Sequence, residues 1–140
     1  TYYFDQLTNE PQGKIQFTGA GPFVVYVKTT FFVKGPIILP AGANPPSLLI
    51  GFAGTSDVFV QTDLDATVVA PRANVTLAQI GTGVYQGAFF GKGLTLQADV
   101  HMLRRSANIG TVSMNAASFW PSGRSRRSSP IQVEVIQRDV

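Results

Sequence analysis

The chain has 140 residues, of which 44% are hydrophobic and only 14% charged, with 14 Gly, 9 Pro and no Cys. That length fits one domain with a buried core, and the charge content lies well under the roughly 25% usual in soluble globular chains. Without cysteine there is no disulfide framework and no thiolate metal site, and a single His excludes a zinc centre or a Cys–His nucleophile. The formal charge of +3 is uneven: five Lys/Arg stand against six acids before His101, and six Arg against two acids from there on. No run approaches the ~20 apolar residues of a membrane span. No signal peptide is visible before Thr1-Tyr2-Tyr3-Phe4, a start that reads as a processed or trimmed product.

Taken in order, the chain begins with an aromatic run, Tyr2-Tyr3-Phe4, ended by the turn signal Asn9-Glu10-Pro11-Gln12-Gly13. These aromatics read as a cover over an open end of the core. Lys14–Thr18 alternates and reads as a strand, broken by Gly19-Ala20-Gly21-Pro22. Phe23–Lys28 and Phe31–Lys34 follow as two apolar β-branched and aromatic runs. Pro40–Pro46 reads as a loop thrown out from a corner.

From residue 48 one short pattern recurs. Leu48–Phe52 leads to Val58-Phe59-Val60, Thr67–Pro71 to Val75-Thr76-Leu77, and Ala88–Gly91 to Leu94-Thr95-Leu96. The second members step by 17 and 19 residues, and the first members, counted at Leu49, Val68 and Phe89, by 19 and 21. Two strands per period of about 20 residues is the mark of stacked coils. Pro71 and Asn74 suit one corner, since proline donates no ladder bond and Asn tolerates left-handed dihedrals. Gly91-Lys92-Gly93 serves as the corner one coil later. After His101 the pattern fades into a short basic stretch, an aromatic knot at Phe119-Trp120-Pro121 and the basic run Ser122–Ser129. Ile131–Ile136 alternates as a closing strand.

The fold expected is all-β, a small single-domain parallel β-helix of about four coils with terminal capping segments; a β-sandwich or jelly roll is the alternative. Residues 1–22 form the N-terminal cap and first strand, 23–100 the coils, and 101–140 the C-terminal cap, basic loop and closing strand.

The runs Asp65–Leu77 and Tyr85–Leu96 resemble repeat modules of bacterial exported surface proteins of myxobacterial type and of some pilus-associated proteins, with bactofilin-like stacking. The resemblance covers roughly residues 23–100 and includes the Ala70-Pro71 corner and the Phe89-Phe90-Gly91-Lys92 run; it stops at His101. It implies an extracellular or cell-surface module that is structural or adhesive and not an enzyme. It implies no functional residues.

The candidate chemistry is sparse. Asp57, Asp63 and Asp65 read as turn formers, because their spacing follows corners and not a calcium loop or a pair of sugar-cleaving acids. His101 reads as a solvent-facing or structural imidazole. Asn74-Val75-Thr76 fits a glycosylation acceptor and equally a corner Asn followed by a strand Thr. No ice-binding Thr-x-Thr ladder is present. The basic run lacks the interleaved aromatics of single-strand binders, so nucleic acid is not an expected partner. No cofactor or metal is expected.

Two functional readings follow. The first is a structural module that self-associates into a homo-oligomer or polymer, even a filament, through Tyr2, Tyr3, Phe4, Ile131, Val133 and Val135. The second is a glycan-binding or adhesive module contacting surface polysaccharide through Tyr85, Trp120, Arg124, Arg126 and Arg127.

Overall fold

A computed structural model describes residues 1–41, 47–78 and 81–103 and two short strands at 113–114 and 131–132. The chain falls into two compact units, Thr1–Ala107 and Asn108–Val140. The first unit is a parallel β-helix of about 5 turns, and no helix occurs among the described residues. In the second unit, Ser113–Met114 pairs antiparallel with Ile131–Gln132.

In chain order the strands are β1 (Tyr2–Asn9), β2 (Ile15–Gln16), β3 (Phe23–Val33), β4 (Ile37–Ile38), β5 (Leu48–Phe52), β6 (Val58–Val60), β7 (Leu64–Leu77), β8 (Val84–Leu96), β9 (His101–Leu103), β10 (Ser113–Met114) and β11 (Ile131–Gln132). The body stacks β1, β3, β5, β7, β8 and β9 in that order, with β6 filling the second side between β3 and β7. All of these pairings are parallel. A third side exists in the first two turns, where β2 pairs β4 in parallel.

Columns of residues run up the stack. Tyr2, Val25, Ile50, Val68 and Phe89 form one inward column; Asn9, Val33, Val60, Leu77 and Leu96 form another. The inner turns bury Val25, Val27, Phe31, Val33, Ile50, Phe52, Val58, Val60, Val68, Val75 and Leu77 almost completely. β-branched and aromatic side chains dominate these positions because they fit a pleated surface packed on one face. Each such side chain contributes about 1.5–3 kcal/mol through burial, and the interior is filled by side chains instead of enclosing a channel.

Outward columns carry their own contacts. Tyr3 stacks on Tyr26 at 5.2 Å, and Phe32 on Phe59 at 5.2 Å with the Lys34 ammonium 4.9 Å from the Phe32 ring.

Two features differ from the sequence expectation. Tyr2–Asn9 is not a cover but the first rung, paired with β3 from Tyr2↔Val25 to Asn9↔Val33. The doublets are offset by one residue on β5: Ile50, not Leu49, lies under Val68, so this turn takes 18 residues and the next 21. The 18-residue turn is short because Gln61-Thr62-Asp63 alone joins β6 to β7, leaving no room for a third side. The Pro40–Pro46 loop lies, from 42 to 46, outside the described residues.

Candidate functional site: the two ends of the β-helix

Inward-facing residues of an inner rung are covered above and below. At the first rung no described strand supplies this cover on one side. Tyr2 and Phe4 pair with the inward Val25 and Val27, yet they are 41% and 37% exposed. Tyr2 rests edge-on against Phe17 at 5.5 Å, and Phe17 against Phe23 at 5.0 Å. Tyr3, pointing outward, is 62% exposed.

The last full rung among the described residues, β8, mirrors this. Leu94 and Leu96 sit over the fully buried Val75 and Leu77 but are 46% and 48% exposed. β9 covers only Val84–Gln86, so β8 from Gly87 to Leu96 has no strand on its far edge among the described residues. Met102 and Leu103, in β9, are also exposed. Leu94 and Leu96 were legible as inward residues from the Val75/Leu77 alternation; what spacing could not mark is which copy of the repeat ends the stack.

The corners are locked by side chains reaching the rung below. Thr29 Oγ1 donates to the Asp5 carbonyl and Ser56 Oγ to the Thr29 carbonyl, both at 2.7 Å. Asn74 Nδ2 donates to Asp57 Oδ1 at 3.1 Å, and the Val84 amide donates to Asp63 Oδ1 at 2.7 Å. Asp57 and Asp63 thus work as acceptors between rungs. No group of three His, Asp or Glu that could hold a metal ion forms among the described residues.

Tyr85 has a different place from the one expected. As a ligand contact it must present a face to solvent, but it is fully buried. It pairs with the inward Leu64 and Met102 and meets Phe89 edge-on at 5.9 Å. Its hydroxyl lies 2.7 Å from both the Val60 and the Ala78 carbonyl oxygens, and its one proton serves either. Burial pushes the phenol up to about 12, and the negative charge of Asp63 adds to the shift. Asp63→Ala is therefore expected to lower the Tyr85 pKa, read from tyrosinate absorbance in an alkaline titration. The same substitution should cost about 1 kcal/mol by freeing the Val84 amide, read by urea unfolding.

Of the other candidates, Trp120, Arg124, Arg126, Arg127, Val133 and Val135 lie outside the described residues. Ile131 belongs to β11, opposite Met114. His101 is exposed and lines a groove of about 400 Å³ with Gly81, Thr82, Val84, Met102 and Leu103. No described helix is long and apolar enough to cross a membrane.

No known protein family, curated protein or solved structure matches this chain.

Proposed function

We propose that this chain is a non-enzymatic structural module of the cell surface that associates with itself. The observation that carries the reading is the pair of ends. Each carries large apolar side chains that point along the core and are yet 37–48% exposed, Tyr2 and Phe4 at one end and Leu94 and Leu96 at the other. Strand edges and apolar patches left open in this way invite association with another chain. The interior supports the same reading, since it is filled by close-packed Val, Ile and Phe. The surface location rests on the resemblance of Asp65–Leu77 and Tyr85–Leu96 to exported surface modules.

Sedimentation and negative-stain microscopy of the purified protein test the proposal. The mass is expected to rise with concentration from the micromolar range upward, and Leu94→Lys with Leu96→Lys should shift the onset at least tenfold. A strictly monomeric species up to the solubility limit overturns it.

A further inference from the structure

Resting on the self-association just proposed, we infer that the two ends join head to tail. The outer edge of β1 in one copy, which no described strand pairs, adds, parallel and in register, to the edge of β8 in the next that no described strand covers, so that the helix continues from molecule to molecule.

Strand polarity supplies the first argument. Every pairing in the body is parallel, so β1 of a second copy, stacked in the same sense, meets β8 as β8 meets β7. Register supplies the second. The column Thr8, Phe32, Phe59, Thr76, Thr95 points outward through all turns, and the column Tyr2 to Phe89 points inward. A one-residue slip would turn every inward side chain out, so continuation places the next copy's Tyr2 on Phe89, Tyr3 on Phe90 and Thr8 on Thr95. The open leucines Leu94 and Leu96 then lie under the partner's second side.

Size is the third argument. In that register the partner's Phe4 lands on Gly91, a bulky side chain over one that is absent. Joining two β1 ends would set Tyr2 and Phe4 against themselves, and joining two β8 ends would leave Gly91 unfilled. The reach of β9 agrees: its described residues pair with Val84, Tyr85 and Gln86, and among the described residues no strand takes the edge from Phe89 onward, where the incoming strand pairs. Asn9, which would land on Leu96, already donates its side-chain amide to the Pro36 carbonyl at 3.5 Å.

Because the chain has no cysteine, paired cysteines report the contact without background. Thr8 and Thr95 are both exposed and outward, so replacing them leaves the core intact. Rungs about 4.8 Å apart bring such a pair within disulfide reach. Mild oxidation of Thr8→Cys/Thr95→Cys is expected to give a ladder of covalent oligomers on a denaturing gel. An equimolar mixture of the two single variants should give dimers and nothing larger, and each single variant alone should stay monomeric. Thr8→Cys/Gln97→Cys, two residues out of register, should cross-link at least tenfold less.

Dimers formed by either single variant alone would show like ends meeting and overturn the head-to-tail join while leaving self-association standing. Association with no cross-link in any variant overturns the register. A monomer at every concentration, with the Phe89–Leu96 amides protected from exchange, means the edge is filled within one chain and overturns both proposals.

Discussion

Tyr85→Ala is expected to cost about 4 kcal/mol, the range for deleting a buried aromatic side chain, and Tyr85→Phe about 2 kcal/mol. The second figure isolates the hydroxyl. Phenylalanine keeps the ring against Phe89 but withdraws the proton shared by the Val60 and Ala78 carbonyl oxygens. Val60 retains the Ala78 amide at 2.8 Å; the buried Ala78 carbonyl loses its hydroxyl partner, which costs about 1–3 kcal/mol. Against a total stability of roughly 5–15 kcal/mol either loss is large.

The same hydroxyl predicts an alkaline weakness. Its folded pKa is raised from the ordinary 10.0 to about 12, so the folded state holds its proton where the unfolded chain has released it. The contribution is fully present below pH 10 and is lost as pH rises toward 12. Two units correspond to about 3 kcal/mol. Urea unfolding of the wild type should show this fall across the window, and Tyr85→Phe should lack it. If both proteins lose stability in parallel there, the buried phenol is not the cause.

The coil stack was legible because corners and strands recur at nearly constant spacing through Leu48–Leu96, and in each second strand two inward aliphatic residues flank an outward one, Val58-Phe59-Val60, Val75-Thr76-Leu77 and Leu94-Thr95-Leu96. Tyr2–Asn9 escaped that reading: three consecutive aromatics hide the period of two, and only the pairing with Val25–Val33 reveals a rung. Tyr85 was misplaced for a related reason. Its partner Leu64 stands before the recognisable start of its copy, so the inward column Leu64–Tyr85–Met102 has no counterpart in the spacing of the motifs. The one-residue offset at Ile50 arose because Leu48-Leu49-Ile50 is apolar at every position, which leaves the inward set undefined until a neighbouring rung selects it. The ends of the stack were half visible. From sequence Tyr2 and Phe4 read as an end, whereas Leu94 and Leu96 read as ordinary members of a repeat.

Gly87 shows a constraint of the opposite kind, one that sequence reading passes over because glycine is common in this chain. It has φ +113° in the middle of β8, opposite Ala66 on the rung below, and a Cβ there would fall on the Ala66 carbonyl. Two costs follow for Gly87→Ala. A non-glycine residue at that φ costs about 1–3 kcal/mol, and the clash with backbone cannot be relieved by a side-chain turn. It must push β8 from β7 within the longest ladder among the described residues, which runs from Leu64↔Tyr85 to Leu77↔Leu96. The expected loss is about 4 kcal/mol. Gly19 supplies the control. Its φ is +99° and nothing lies within 4 Å of its virtual Cβ, so Gly19→Ala carries the dihedral cost alone, about 1–2 kcal/mol. Parallel urea melts of the two variants separate strain from collision. Equal losses would sink the argument that Gly87 is fixed by the Ala66 carbonyl; a Gly87→Ala loss about twice that of Gly19→Ala or more supports it and marks this glycine as the position that keeps the last two full rungs at stacking distance.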